Sequence, residues 1–360
     1  RYDALNRLSE IIPVQYTERP SGSVDVYSGN QYVLLSGHRQ HLETTTVLDR
    51  GVEVKIAQFD KTQFQLPQTG GEIRGVIEGR DEILGGFIDD LDQLAGGLIA
   101  AFNSIHSSGE GLEGYSTVTS TSRVDDSNTV LNDLDLPGKI THGSFELKVT
   151  NRTTGITQVE TIRIDLDGIG TNDTSLEDLR TAIDSAANVT ATITTTGELR
   201  LDADPDFELR FADDTSGVLA ALGINTFFTG SDSSSIGINS LIKGNNKLLA
   251  TGKGGGPSDN RNMLQLATVF DQPLESLGNS GIEEFYRTVV AGIAQGTSAE
   301  KAKAAGLDLF RQSLVSQREQ FSGVSLDEEA VRLIEFQQAY AASARIIRAV
   351  DELFDVLVSL

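Results

Sequence analysis

Three short stretches of the sequence carry residue types that could do chemistry. The first is His38 and His41, which form an H-x-x-H pair able to supply two ligands to a metal ion. Two ligands alone hold a metal poorly, and no further histidine, cysteine or paired carboxylate lies nearby in the sequence to complete a set. The pair therefore predicts no metal centre.

The second stretch, Asp165-Leu-Asp-Gly-Ile-Gly170, resembles the start of a calcium-binding loop. Such a loop needs an oxygen ligand at its fifth position and a glutamate at its twelfth. Ile169 occupies the fifth position here, and the twelfth is a leucine. We interpret the segment as the end of a strand that turns into a helix.

The third stretch, Gly252-Lys-Gly-Gly-Gly256, has its lysine in the wrong place for a phosphate loop, which needs Gly-Lys-Ser/Thr opening a helix. We interpret it as a flexible link. The sequence has no Gly-x-Ser-x-Gly motif and no cysteine. We therefore predict that the protein is not an enzyme and has no catalytic residue, no metal ligand and no cofactor.

Composition limits the partners. The 360 residues suggest two or three domains, and they carry 52 Asp plus Glu against 29 Lys plus Arg, a formal charge of −23. This charge argues against nucleic acid and against an anionic membrane surface as partners. No apolar run approaches the ~20 residues that a membrane span needs, so we expect no membrane insertion.

The first 106 residues combine helical and strand patterns. Leu5, Leu8 and Ile12 lie on one face of a helix end, and we interpret the sequence as missing its natural start. Residues 23–27 alternate apolar and polar side chains, a Ser-Gly-Asn turn follows, and residues 31–35 complete a predicted β-hairpin. A further strand is predicted over residues 52–56.

A second helical region runs from Glu72 to about His106, where apolar residues recur at helical spacing over many turns. Two glycine pairs, 85–86 and 96–97, interrupt this pattern. Each glycine costs roughly 1 kcal/mol relative to alanine. The pairs either allow a neighbouring helix to approach closely or mark a bend.

The composition changes near Ser107, and the chain is then rich in Thr, Ser, Asp and Gly with short alternating segments. These segments predict a separate β-rich domain. It contains one helix, Leu176 to about Ala187, with a capping box formed by Thr174 and Glu177. The predicted strands are residues 144–149, 158–164, 190–194, 198–201 and 207–211.

Helical patterns return after the glycine-rich link. A short helix around Met263 precedes Pro273, and a long helix extends from Gly281 to about Gln320, with Gly296 as the position where it could break. The sequence thus predicts an α+β multidomain protein: a helical, coiled-coil domain built from both chain ends, with a small β-hairpin region, and an inserted β-rich domain. The predicted boundaries are 1–106, 107–252, 253–323 and 324–360.

The last helix, Ser325 to Leu360, carries the strongest pattern in the chain. Ser325 and Glu328 can form a capping box. Two rows of apolar residues, each with a seven-residue period, form one continuous stripe. Such a stripe needs a partner, either the body of the same chain or another molecule, because apolar surface left in water costs roughly 25 cal/mol per Å². The stripe consists of Leu326, Leu333, Phe336, Tyr340, Ile347, Val350, Phe354 and Leu357.

The residues of this helix resemble those of a known family, and the resemblance bears on which partner covers the stripe. The run from Ser322 to Leu357 resembles the C-terminal signature of bacterial flagellar axial proteins. Four further runs resemble one group of these proteins, the hook-associated proteins of the hook-filament junction. They are residues 3–15, 70–84, 91–109 and 217–252. The resemblance implies a structural subunit of the flagellum that joins hook to filament, in which the stripe on the terminal, inner-core helix is an assembly interface.

The resemblance also implies partners and location. These are copies of the same protein, the hook protein, the second junction protein and an export chaperone on the C-terminal helix, with secretion through the flagellar type III apparatus to the cell exterior. The β-rich domain would face outward. Alternatives are flagellin or the second junction protein and, from other classes, a secreted ligand-binding protein or enzyme and a surface adhesin with a coiled-coil stalk.

Overall fold

A computed structural model describes four stretches of the chain, residues 1–67, 70–169, 172–322 and 326–358. The chain divides into two compact units, Arg1–Val290 and Ala291–Leu360. Helices occupy both ends of the chain and strands fill its middle, which confirms the predicted α+β class. The four predicted domain ranges stay a prediction.

The helices of the described stretches are α1 (Tyr2–Ile11), α2 (Gly71–Glu78), α3 (Gly85–Ser107), α4 (Leu176–Asp184), α5 (Val218–Leu222), α6 (Ser240–Gly244), α7 (Arg261–Thr268), α8 (Ile282–Ser322) and α9 (Leu326–Val358). The strands are β1 (Gln15–Glu18), β2 (Val24–Ser28), β3 (Gln31–Leu35), β4 (His38–Arg39), β5 (Leu42–Asp49), β6 (Val52–Phe59), β7 (Thr117–Thr119), β8 (Gly143–Asn151), β9 (Thr157–Ile164), β10 (Val189–Ile193), β11 (Leu199–Ala203), β12 (Phe207–Ala212), β13 (Phe228–Thr229) and β14 (Gly237–Ile238).

The N-terminal strands form an antiparallel sheet in the order β1-β2-β3-β4 and a separate hairpin, β5-β6. The predicted hairpin is confirmed as β2 and β3, and the predicted strand at 52–56 is confirmed as part of β6. Strand β5 was not predicted. Most of its side chains are exposed on both faces, so it lacks the alternation that marks a half-buried strand.

The predicted helical region from Glu72 to His106 is confirmed as α2 and α3, joined by a π-helical turn, Gly79–Leu84, that the sequence did not reveal. Its glycines mark close approaches. A Cβ on Gly85 would lie 2.7 Å from the Arg50 guanidinium carbon, and one on Gly97 would lie 3.0 Å from Leu277 Cδ2. The neighbours are thus a hairpin side chain and a loop leucine rather than a second helix.

The β-rich middle folds around two three-stranded antiparallel sheets, β10-β11-β7 and β12-β8-β9. The five predicted strands are confirmed as β8 to β12. Alternate side chains of β8, β10 and β11 enter a common core, as a period of two requires, and β9 adds Ile162 and Ile164 from its end. The fully buried members include Phe145, Leu147, Leu199, Leu201, Leu209 and Phe211.

The capping box predicted for α4 is wrong by one residue. Ser175 is the N-cap: its side chain accepts from the Asp178 N–H at 3.2 Å, and the Asp178 carboxylate accepts from the Ser175 N–H at 3.0 Å. Thr174 instead bonds to Asp165: its hydroxyl accepts from the Asp165 N–H at 2.8 Å, and its own N–H donates to the Asp165 carbonyl. The threonine therefore ties the helix start to the end of β9.

The end of α3 meets the inserted region at a buried histidine. His106 Nε2 accepts from the Ala250 N–H at 3.1 Å, which leaves Nδ1 to donate to the Asn225 carbonyl at 2.8 Å. Asn225 in turn donates from Nδ2 to the carbonyls of Ser107 and Gly109 and accepts from the Tyr115 hydroxyl. Burial lowers the pKa of His106 to about 4, so the ring is neutral near pH 7.

Two long helices complete the chain. Helix α8 runs without a break through Gly296, so the interruption considered there does not occur. The predicted short helix before Pro273 is confirmed as α7. The terminal helix is confirmed as α9.

The buried state of His106 predicts a pH dependence of stability. The folded ring resists protonation down to about pH 4, whereas an unfolded histidine takes up a proton near pH 6.5. The unfolded state therefore binds more protons in this window, and we expect the free energy of unfolding to fall by on the order of 3 kcal/mol as the pH drops from about 6.5 to about 4. Urea unfolding followed by tyrosine fluorescence measures it.

The control for this measurement is an exposed histidine. His106→Gln should remove this component of the pH dependence, and His38→Gln, at an exposed position, should retain it. If the free energy of unfolding of His106→Gln still fell by the same amount between about pH 6.5 and pH 4, other groups would be the cause of that fall.

Candidate assembly interface

The candidate interface lies on α9, a helix of 33 residues whose sequence lacks glycine and proline between Leu326 and Val358. Its first turn carries Asp327, Glu328 and Glu329, and negative charge there is favoured by the helix dipole. Glu329 also pairs with Arg332 at 3.7 Å. The predicted cap, Ser325, lies outside the described residues.

The helix brings the predicted stripe together on one side. Residues seven apart on an α-helix return to within about 20° of one another, so the two heptad rows lie next to each other along the whole of α9. Seven of the eight predicted interface residues belong to this described surface; the side chain of Leu326 lies outside the description. The seven are Leu333, Phe336, Tyr340, Ile347, Val350, Phe354 and Leu357.

The apolar stripe is exposed along its length. Tyr340 is 80% exposed, Phe336 74%, and even Val350, with the lowest value of the seven, 42%. Among the described side chains of α9, all but Ala344 are exposed. Within the unit of residues 291–360, the described residues of the stripe are therefore uncovered.

Helix α8 contributes a second uncovered apolar surface to the same unit. Leu307, Phe310 and Leu314 are exposed on it, at positions three and four residues apart as on one helix face. Both long helices of residues 291–360 thus present apolar faces to solvent. Helices of this kind are stable when their faces pack against other helices.

The charges of α9 bear on what could pack there. Asp351, Glu352 and Asp355 lie near its C-terminal end, and its last turn contains no basic residue. The negative end of the helix dipole disfavours this arrangement. A partner that presents lysine or arginine beside this end would therefore pack more favourably than an acidic one.

The two stretches whose sequences argued against a metal site and a phosphate loop make ordinary hydrogen bonds within the fold. His38 and His41 are both exposed, and the His41 N–H donates to the Asp60 carboxylate. In the glycine-rich link, the backbone N–H groups of Lys253 and Gly255, which a phosphate would need, each donate to Asp259 Oδ2 at 2.8 Å. The Arg261 side chain, with these amides, holds the pKa of Asp259 well below its usual range.

The structure places one residue beside the aspartates of the 165–170 segment that sequence reasoning missed. His142 lies next to Asp165 and Asp167, although it comes 23 residues before the first of them; Gly170 lies outside the described residues. The register of β8 against β9 is the feature that would have revealed this neighbour. Gly143 pairs with Ile164, so the residues just beyond this pair must face each other.

No helix in the described part of the chain is long and apolar enough to cross a membrane.

Two family models match the chain. Residues 1–119 match the flagellar hook-associated protein FlgK helical domain. Residues 315–360, which include all the described residues of α9, match the C-terminal region of the flagellar basal body rod FlgEFG proteins.

Curated relatives align with the whole chain. It is 24% identical to flagellar hook-associated protein 1 of Escherichia coli strain K12, over 100% of this chain and 63% of the relative. It is 25% identical to the protein of the same name from Salmonella typhimurium strain LT2, over 100% and 64%. The chain thus spans less than two thirds of the length of these relatives.

A solved structure, the flagellar hook junction protein FlgK from Burkholderia pseudomallei, aligns with 90% of this chain and 78% of its own, at 15% identity and a TM-score of 0.44.

The exposure of α9 predicts fast amide exchange. Because its side chains make few tertiary contacts, we expect amides of residues 330–356 to exchange at least roughly 100-fold faster than those of β8 and β11, whose alternate side chains are buried. Hydrogen-deuterium exchange followed by mass spectrometry measures both in one sample. Slow exchange throughout 330–356 would mean that the helix is packed in the isolated chain.

Proposed function

We propose that this chain is a hook-associated protein of the FlgK type, a structural subunit of the bacterial flagellum that joins the hook to the filament. The match over residues 1–119 supports the hook-associated group, and it argues against flagellin and the second junction protein. The match over residues 315–360 supports a terminus of the kind found in rod proteins.

The observation that carries this proposal is the uncovered stripe on α9. A fully buried side chain of the size of leucine or phenylalanine contributes about 1.5–3 kcal/mol relative to an exposed one. Covering the seven described stripe residues would therefore contribute on the order of 10 kcal/mol or more. An assembly that packs α9 against other helices recovers this free energy, and the helix's length and period suit a coiled coil.

The eight stripe residues form the assembly interface in this proposal, Leu326 included. Its partners are copies of the same protein, the hook protein and the second junction protein. Before assembly, an export chaperone covers the C-terminal helix, because an exposed stripe of this length would otherwise associate without control. The formal charge of −23 supports these protein partners and opposes nucleic acid.

Location and chemistry follow from the same role. The subunit leaves the cell through the flagellar type III export apparatus and works outside it as part of the flagellum. The inserted β-rich domain faces outward. The protein is not an enzyme in this account: its contribution is the set of contacts that it makes with its neighbours.

We expect Tyr340→Asp and Ile347→Asp to abolish incorporation into flagella. Each places a charge in the centre of the stripe, and burying an unpaired carboxylate is strongly unfavourable. Fluorescent labelling of flagella in cells that carry each variant as the only copy, together with a motility assay, measures incorporation. The inserted domain should stay folded, because neither residue belongs to its core.

The matched control is Gln338→Asp. It makes the same change of charge two residues from Tyr340, at an exposed position outside both heptad rows. Normal incorporation of Gln338→Asp beside failure of the other two supports the stripe. Equal incorporation of all three variants would defeat the proposal that these residues form the interface.

A further inference from the structure

A cluster of metal-ligating side chains lies at the open end of the β8-β9 hairpin. Gly143 pairs with Ile164 at this end, so His142, just before β8, faces Asp165, just after β9. The ligand atoms of His142, Asp165 and Asp167 all lie within 4.8 Å of one another. Strand pairing thus brings together one imidazole and two carboxylates from distant parts of the sequence.

The Asp165 carboxylate is fixed in place by its surroundings. Its Oδ2 accepts from the Asn172 side-chain amide at 2.7 Å, and its backbone is tied to Thr174 on both sides. Its other oxygen, Oδ1, is a buried atom without a hydrogen-bond donor among the described residues. A buried carboxylate oxygen in this state lacks the compensation that it had in water.

That oxygen is aimed at His142. Its distance from His142 Nδ1 is 3.3 Å, and the same nitrogen accepts from the Leu166 N–H through a long hydrogen bond, also 3.3 Å. An imidazole nitrogen has one lone pair, so a cation bound between this nitrogen and Asp165 Oδ1 would take the place of the long bond from Leu166. Zinc bonds imidazole nitrogen and carboxylate oxygen at about 2.1 Å, which places neighbouring tetrahedral ligands about 3.4 Å apart.

Charge favours a divalent ion at these side chains. Within the described chain, neither Asp165 nor Asp167 forms an ion pair with lysine or arginine. A protonated His142 would balance one of the two carboxylates and leave the other uncompensated. A divalent ion balances both and takes all three ligands.

We propose that His142, Asp165 and Asp167 bind a divalent transition-metal ion of the zinc class. The nitrogen ligand disfavours calcium and magnesium, which take oxygen ligands. Three protein ligands leave a fourth position for water. The bound ion links the start of β8 to the loop between β9 and α4, so it stabilises the edge of the inserted β-rich domain. This site is independent of the stripe on α9.

Zinc itself is the probe, added to the whole chain at pH 7.5 in competition with a chromophoric chelator. We expect one zinc ion per chain, lost in His142→Ala and in Asp167→Asn and retained when both His38 and His41 are replaced by alanine. The last variant removes the H-x-x-H pair, which could otherwise bind zinc. Calcium and magnesium should not displace the zinc.

A second readout separates a metal site from a proton-bridged pair. Substoichiometric zinc should shift the ring NMR signals of His142 at pH 7.5 and raise the melting temperature of the original chain but not of Asp167→Asn, whose substitution is nearly isosteric. Zinc binding that survives His142→Ala, or that the His38/His41 variant abolishes, would overturn the proposal. So would the absence of stoichiometric binding, together with His142 signals that respond to pH alone.

Discussion

The burial of one apolar stripe is the requirement on which the account of this protein depends. Helix α9 exposes seven large side chains in two heptad rows, and water disfavours such a surface. A helix of this kind gains most of its stability from packing rather than from its intrinsic propensity. In the proposed role, covering this surface supplies the free energy that drives assembly.

The β-rich middle of the chain, by contrast, buries its apolar residues in a core of its own. Two small sheets and α4 share one core. Buried polar side chains beside this core form specific hydrogen bonds. Asn225 alone bonds two carbonyls and the Tyr115 hydroxyl, contacts that fix one arrangement because an unpaired buried amide is costly. The chain thus combines a β-rich region that buries its own apolar side chains with two long helices whose apolar side chains are exposed.

Sequence patterns predicted the elements whose burial follows a simple period. Strands β8 to β12 were found because alternate residues such as Leu199 and Leu201 are buried, and α9 because its period is sustained over many turns. Strand β5 was missed because both of its faces are largely exposed. The π-helical turn at Gly79–Leu84 was missed because its side chains keep a helical pattern while only the hydrogen bonds change.

Features set by tertiary contacts were beyond sequence reasoning. Thr174 and Ser175 are both good caps, and only the bond from the Asp165 N–H to Thr174 assigns the cap to the serine. His142 could not be joined to Asp165 before the register of β8 and β9 was known. The seven-residue period of α9 could be recognised in the sequence, but what covers its seven described apolar residues is set by packing that a single sequence does not specify.

The most direct test of the central claim is co-sedimentation of the protein with purified flagellar hooks. The complete protein is compared with a version that ends at Ser322 and so lacks α9, with circular dichroism to confirm that the inserted domain is folded in both. The account predicts that the complete protein pellets with the hooks and that the shortened version stays in the supernatant. Equal sedimentation of the two, or failure of the complete protein to bind, would contradict it.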